Sequence, residues 1–252
     1  VRDEDAFRYA CRFGHFKVVK WLLDISIQNE EILPINIHIN NEEALCLLCE
    51  YKYYDMAKWL IEISIQNKEI LQIIDIHVKN EYTFISACKN NRFDIVKWLY
   101  EISTEIGQID IHSKEDFAFC LVCQNGHHEI AKWLYEISKA EQIIDIHAKN
   151  DFAFRHACMN GHYEVAKWLL DISKTGQVIN IRSKNDFAFR HAYQKGYYKI
   201  IKLLFNFYTE QQLIELNDIN SDIIVLIKEE LEIRSRISLI LYLFEKKFKL
   251  LD

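Results

Sequence analysis

Two Cys-x-x-Cys pairs have the residue type and spacing that zinc sites use. Cys46 and Cys49 form the first pair, and Cys120 and Cys123 form the second. A tetrahedral zinc site needs its ligands at about 2.3 Å from the metal, so the two pairs would have to meet around one ion. Whether they can meet depends on the elements that carry them.

Histidines also recur at a regular spacing, and imidazole is both a common metal ligand and a proton carrier. Nucleophilic catalysis would need a nucleophile, a base and an orienting group that converge in one pocket. Neither a Gly-rich phosphate loop nor a hydrolase nucleophile motif occurs in the sequence. The recurring positions are His38, His77, His112 and His147, with Arg182 at the next step.

The elements that carry these residues are copies of one segment. The fifth copy reads FAFRHACMNGHYEVAKWLLDIS, residues 152–173, and a sixth copy begins at Phe187. Self-similarity at this period is typical of a repeat architecture. Leu203 stands at the tryptophan position of the sixth copy, and the spacings are 38, 39, 35, 35 and 35 residues. The tryptophans of the other copies are Trp21, Trp59, Trp98, Trp133 and Trp168.

Each copy has two apolar stretches with helical periodicity, separated by a turn. In the fifth copy, Phe154, Ala157 and Cys158 share one face of a first helix. Val165 and Leu169 share one face of a second helix in the same way. A glycine between the two halves predicts a first helix that ends in a left-handed conformation. This position holds Gly14, Lys52, Asn91, Gly126, Gly161 and Gly196 in the successive copies.

The segments between the helix pairs have a different pattern. Alternating isoleucines, as in Ile144-Asp145-Ile146-His147, predict an extended finger. Asn150 or Asp151 then follows, and we expect one of them to cap the next helix at its N-terminus. Asn41, Asn80 and Asn185 recur at the corresponding positions.

The stretch ACMNGHYEVAKWLL, residues 157–170, resembles the ankyrin repeat pattern AAxxGHxEVVKLLL, and the resemblance extends over about residues 1–205. It implies an all-α, ankyrin-like solenoid of helix-turn-helix repeats with protruding finger loops. The family's Thr-Pro-Leu-His turn is replaced here by Phe152-Ala153-Phe154-Arg155 and its equivalents. This divergent, Trp-containing type resembles the ankyrin families of giant DNA viruses of amoebae, the mimivirus-like group.

The repeat period predicts how the chain is divided. We expect six ankyrin-like repeats over residues 1–205, at about 1–38, 39–77, 78–112, 113–147, 148–182 and 183–205. Residues 206–252 are expected to form a degenerate C-terminal capping repeat, because the last repeat of a solenoid needs a polar outer face.

The same architecture argues against metal binding and catalysis. Helices pack about 10 Å apart, so Cys pairs two repeats apart lie about 20 Å from one another. Cys49 and Cys123 occupy the same position of the repeat as Cys158, where small residues recur. This position predicts core packing instead of zinc binding. Histidines one repeat apart are likewise too far apart to share a metal. We therefore predict no catalytic residue, no metal site and no cofactor, and a protein that is not an enzyme.

Composition limits the partner and the compartment. The net charge of −6 argues against nucleic acid as the main partner, which would favour a basic face. No apolar run approaches the roughly 18 residues that a membrane span needs. Seven cysteines and the lack of an Asn-x-Ser/Thr site fit a reducing compartment. We expect an intracellular monomer, in the cytoplasm of a host cell if the chain is viral.

Residues that vary between copies are not fixed by packing, so they point to the free surface. The resemblance places this surface in the concave groove and at the finger tips, and it implies a scaffold for protein–protein interaction. Charge reversal at Arg155, Arg190 and Lys149 is expected to abolish partner binding and leave thermal unfolding unchanged. The candidate partner-binding residues are Tyr9, Arg12, Lys89, Gln124, Lys149, Arg155, His156, Met159, Arg190, His191 and Gln194.

Two other functions remain open. The finger lysines would bind nucleic acid or a membrane surface, and steep loss of binding with salt would support that alternative. In the other alternative, the chain is a substrate-recruiting adaptor of a ubiquitin ligase that uses residues 206–252 for recruitment. The finger lysines are Lys79, Lys114, Lys149 and Lys184.

Overall fold

The computed structural model describes residues 2–29, 34–174 and 178–209, and also residues 211, 212, 216 and 229. Within these ranges every regular element is a helix and no strand occurs, which confirms the all-α fold class. None of the described helices is both long enough and apolar enough to cross a membrane.

Helices along the described chain alternate between a first and a second member of a pair. The first helices are α1 (Arg2–Arg12), α3 (Ile39–Glu50), α6 (Val78–Lys89), α8 (Ser113–Gln124), α10 (Ala148–Met159) and α12 (Ser183–Gln194). The second helices are α2 (Phe16–Gln28), α4 (Tyr54–Gln66), α7 (Phe93–Ile106), α9 (His128–Ser138), α11 (Tyr163–Ser173) and α13 (Tyr198–Phe205). A single extra turn, α5 (Lys68–Leu71), follows α4.

The turn within each pair has the predicted left-handed residue. Gly161 has φ of 83°, and its amide donates to the Cys158 carbonyl at 3.2 Å, which ends the first helix. Lys52 and Asn91 take the same conformation, with φ of 66° and 59°. An L-residue other than glycine pays about 1 kcal/mol or more for this conformation, so the fold imposes it on Lys52.

The chain forms two compact units, residues 1–154 (unit 1) and residues 155–252 (unit 2). In unit 1 the first helices α1, α3, α6 and α8 pack side by side, and each contacts the second helix of its own pair. In unit 2 the helix α13 packs on α11 and α12. The predicted repeat boundaries stay predictions, and the expected cap at 206–252 lies almost entirely outside the described residues.

The core of each unit consists of positions that repeat. Phe7, Leu45, Phe84 and Phe119 occupy one register of unit 1 and are at most 1% exposed, and Phe189 fills the same register in unit 2. Burial of each such side chain contributes about 1.5–3 kcal/mol. The period of the sequence therefore determines which faces of the helices pack together.

The start of the first helices differs from the sequence-based expectation. Lys149, Asn150 and Asp151 all have a left-handed backbone, with φ of 55°, 58° and 56°. N-cap residues have an extended backbone, so the prediction that Asn150 or Asp151 caps the helix is wrong. Asn and Asp tolerate the left-handed region better than most residues, which explains why they recur here. The equivalent left-handed triplets are 40–42, 79–81, 114–116 and 184–186.

Candidate functional site

All seven cysteines are buried, including both Cys-x-x-Cys pairs. Burial raises the pKa of Cys49 and of Cys120 to about 12, which leaves them as neutral thiols at physiological pH. Thiolates are the form that binds zinc, so these side chains act as small apolar residues of the core. The predicted core position of Cys49 and Cys123 is confirmed. Among the residues that the structure describes, no cluster of three or more His, Cys, Asp or Glu could hold a metal ion.

Burial of the thiols predicts low chemical reactivity. In folded protein at pH 8, Ellman's reagent is expected to modify fewer than one of the seven cysteines within minutes, because reaction requires an accessible thiolate. In concentrated guanidinium chloride all seven should react, and the absorbance at full reaction supplies the control. Rapid modification of Cys46 or Cys120 in the folded protein would contradict the buried placement of the pairs.

The recurring histidines each bind a carboxylate four residues later. Each carboxylate is buried, and in every case the imidazole Nδ1 contacts one of its oxygens. We call these buried acids, which are Glu42, Glu81, Asp116, Asp151 and Asp186, the bridging carboxylates. The pairs are His38–Glu42 at 2.6 Å, His77–Glu81 at 2.8 Å, His112–Asp116 at 2.6 Å and His147–Asp151 at 2.5 Å. Arg182 replaces histidine in the last pair, and its Nε donates to Asp186 at 2.9 Å.

Three bridging carboxylates of unit 1, Glu42, Glu81 and Asp116, also connect their own repeat to the next finger. The amide of Asp145 donates to Oδ2 of Asp116 at 2.9 Å, and that of Asp75 donates to Oε1 of Glu42 at 3.3 Å. Sequence reasoning identified the histidines but missed these acids. The signal was present as an acidic residue four positions after each of the four regularly spaced histidines and after Arg182.

His38 has a partner on each ring nitrogen. Nδ1 contacts Glu42, and Nε2 lies 2.6 Å from the carbonyl oxygen of Leu71. A carbonyl oxygen only accepts, and so does an ionised carboxylate, so both nitrogens donate when the imidazole is protonated. Burial alone lowers the pKa of His38, but the bonds to Glu42 and Leu71 outweigh it, and the pKa lies above its usual value.

A pH dependence of stability follows from the His38 contacts. A raised folded pKa means that protonated His38 favours the folded state at pH below about 6.5, its unfolded value. This stabilisation is lost as pH rises through the higher folded pKa. The urea midpoint of the parent protein should therefore fall more steeply from about pH 6.5 to 8.5 than that of His38→Gln. Parallel profiles for the two proteins would contradict the assignment.

In unit 1 the predicted partner-binding residues differ in exposure. Tyr9, Arg12 and Lys89 are exposed, whereas Gln124 is half-buried. Lys149 is half-buried as well, because its Nζ donates to the Lys114 carbonyl at 2.9 Å. Its amine also lies 4.8 Å from the centre of the Phe117 ring. The described surface near the intra-pair turns of α1, α3 and α6 is therefore more accessible than the finger position of Lys149.

Arg12 lies among three exposed aromatic rings, which we call the Arg12 cluster: Tyr9, Arg12, Phe13 and Tyr51. The guanidinium carbon is 5.9 Å from the centre of the Phe13 ring and 5.8 Å from that of Tyr51. The Tyr9 and Phe13 rings stack with centres 6.2 Å apart. Tyr9 is 61% exposed, Phe13 55% and Tyr51 40%, so the cluster forms an uncovered aromatic surface.

In unit 2, three of the predicted partner-binding residues lie around the ring of Phe187. Its ring stacks on His191 with centres 3.9 Å apart and lies 5.4 Å from that of His156. The Arg155 guanidinium is 4.9 Å from the same ring. Met159 is half-buried and Gln194 is exposed. His156, His191 and Arg155 therefore surround one aromatic side chain.

The expected free surface position of Arg155 is wrong. Arg155 is only 6% exposed, because its position in α10 faces the packed side of unit 2 and its guanidinium covers Phe187. Arg190, at the same register one repeat later, is half-buried and donates from Nε to the Asn185 carbonyl at 3.2 Å. Charge reversal at Arg155 is therefore expected to lower stability, and the two arginines differ in burial.

Comparison with known proteins gives the family. The family described as "Ankyrin repeats (3 copies)" matches residues 84–183 and residues 119–218, which together span more than half of the chain. No curated protein sequence matches the chain. An ankyrin repeat family protein from Legionella pneumophila has a similar solved structure, with 25% sequence identity and a TM-score of 0.51. That match covers 74% of this chain and 49% of the Legionella protein, so the chain spans about half the length of that relative. The chain therefore belongs to the ankyrin repeat family.

Proposed function

We propose that this protein is a scaffold that binds a partner protein through the surface that its first helices present near the intra-pair turns. Ankyrin repeats are in general protein–protein interaction modules that do not catalyse reactions, and the family membership supports the proposal. In this family that surface is the concave groove of the repeats.

One observation carries the proposal: in the first three copies, a position whose residue type varies between copies is exposed. The residues before the turn vary from Arg12 to Glu50 to Lys89 in the first three copies, and all three are exposed. The positions directly before them repeat as small residues and are buried, as Cys11 and Cys88 are. Packing cannot account for the choice of an exposed residue, so contact with a partner supplies a reason for the variation.

Capture from cells of the source organism tests the proposal. The double variant Arg12→Glu/Lys89→Glu changes the proposed surface, and Lys17→Glu/Lys20→Glu makes the same charge change on the exposed side of α2. The amount of each partner captured, relative to the parent chain, should fall by at least about tenfold with the first variant. It should fall by less than about twofold with the second variant. Equal capture by both variants would show that this surface does not bind the partner.

The second candidate function uses the finger lysines. Lys79, Lys114 and Lys184 are exposed, which would suit binding to phosphate groups of nucleic acid or of a membrane. The amine of Lys149 is bonded to the Lys114 carbonyl, which weakens this alternative. Binding to duplex DNA or to anionic vesicles that falls steeply with salt would support it, because displaced counterions make such binding strongly dependent on salt.

Several finer properties are proposals as well. We propose that the chain is of the Trp-containing type found in giant DNA viruses of amoebae, and that it acts as a monomer in the host cytoplasm. Residues 206–252 are proposed to cap the last repeat. Recruitment of substrates to a ubiquitin ligase would require a second partner bound through those residues. Truncation after residue 205 tests this role, because it would leave groove binding intact and remove the ligase.

A further inference from the structure

The Arg12 cluster contains groups that remain exposed although each of them favours burial or pairing. Three aromatic rings face solvent, and aromatic side chains gain most when a partner covers them. The Arg12 guanidinium forms no ion pair with any acidic residue that the structure describes. Tyr and Arg are also the residues that most often dominate binding energy at interfaces.

We propose that the Arg12 cluster binds an acidic segment of a partner protein, in which a carboxylate pairs with Arg12 and a neighbouring apolar side chain covers the rings of Tyr9, Phe13 and Tyr51. The inference rests on the proposed scaffold function and adds the chemistry of the partner. An arginine guanidinium close to aromatic rings can still offer its N–H groups to a carboxylate in a bidentate bond.

A neighbouring arginine explains why Arg12 is the one that binds. Arg8 lies one turn earlier on α1, and its guanidinium is held by Asp5 and by Glu43 of α3. A cavity of about 160 Å³ lies between these two arginines and is lined by Arg8, Tyr9, Arg12, Glu43 and Leu47. The two terminal nitrogens of Arg8 are already paired with Glu43 and Asp5, so an external acid has Arg12 as its partner.

The charges around the cluster favour a protein over a nucleic acid. Asp5 lies on α1, which carries Arg12, and Glu50 directly precedes Tyr51 at the end of α3; both acids are exposed. A phosphate backbone presents one charge per nucleotide and needs several cations along its path, which two exposed acids would interrupt. A protein segment can place one carboxylate next to an apolar residue and otherwise remain uncharged, which matches one arginine among three rings.

Selection of peptides tests the inference. A phage-displayed library of random peptides of about twelve residues would be selected on the full chain, and enriched peptides would be measured by fluorescence anisotropy. We expect enrichment of peptides with Asp or Glu beside an aromatic or aliphatic residue. Arg12→Glu should weaken their binding by at least about tenfold, and Arg12→Lys by less, because lysine keeps the charge and loses the planar fork. Lys20→Glu, with the same charge change at an exposed position of α2, should change binding by less than about twofold.

Three results would overturn the inference: enrichment of no acidic peptide, binding of enriched peptides to Arg12→Glu as tight as to the parent, or Arg12-dependent binding of single-stranded DNA without peptide binding. Unaltered circular dichroism and thermal unfolding of Arg12→Glu would establish that a lost affinity is not lost folding. Peptides that depend on Lys89 but not on Arg12 would leave the scaffold function standing and remove the Arg12 cluster from it.

Discussion

Replacement of Asp116 with alanine is expected to lower the free energy of unfolding by about 3 kcal/mol, because it removes a buried charge-assisted contact and leaves its partners without an acceptor. Asp116 is 5% exposed, contacts Nδ1 of His112 at 2.6 Å and accepts the Asp145 amide at 2.9 Å. Urea and thermal unfolding followed by tryptophan fluorescence measure the loss, which corresponds to roughly 5 to 10 °C in Tm for a chain of this size.

The neighbouring acid provides a matched control. Glu115 has the same left-handed backbone, with φ of 60° against 56° for Asp116, but its side chain is exposed. Glu115→Ala therefore has the same backbone effect on the free energy of unfolding as Asp116→Ala. Apart from that effect, it should change the free energy of unfolding by less than about 0.5 kcal/mol. Asp116→Asn keeps one acceptor oxygen and should fall between the two. Equal losses for Asp116→Ala and Glu115→Ala would show that the bridging carboxylate does not hold the finger in place.

Reversal of charge at Arg155 is expected to cost about 3 kcal/mol in the stability of unit 2, because it places an uncompensated carboxylate in a site that is 6% exposed. The guanidinium now lies 4.9 Å from the centre of the Phe187 ring, where a cation is attracted by the negative face of the ring. A carboxylate at the same place would be repelled by that face. Thermal unfolding of Arg155→Glu measures the effect.

Arg190 serves as the control for Arg155, since it occupies the same register in the following repeat. Its side chain is half-buried and bonds the Asn185 carbonyl, so Arg190→Glu should cost no more than about 1 kcal/mol. The difference in stability between these two variants decides which of them can be used in binding experiments. Loss of partner capture by Arg155→Glu would reflect unfolding as well as loss of binding. Similar Tm values for Arg155→Glu and the parent would contradict the buried position.

The sequence alone predicted much of the fold because its information is local and repeated. The register shared by Phe84, Phe119 and Phe189 gives the buried face of the first helices, and each of these side chains is buried. The turn position gives a left-handed residue even at Lys52, where the residue type disfavours it. The register of Cys49 and Cys123 likewise predicted core packing, since a small residue between helices needs no partner outside its own repeat.

The polar part of the candidate site was predicted less completely. The exposed positions of Tyr9, Arg12 and Lys89 agree with their variation between copies. The same logic failed for Arg155, whose charge suggested solvent although an aromatic ring of the next helix pair covers it. Lys149 was expected at an open finger tip, and its amine bonds the backbone of the preceding finger.

What the sequence by itself determined is the period, the helix pairs and the apolar faces, because hydrophobic burial depends on spacing along one helix. Only the tertiary structure decided the partner of each polar group. Glu42 meets His38 through a left-handed triplet, and the Asp75 amide reaches the same acid from 33 residues away. A hydrogen bond depends on where the next finger lies, and the helical period does not carry that information. The exposed aromatic rings around Arg12 likewise became one surface only when α1 and α3 packed side by side.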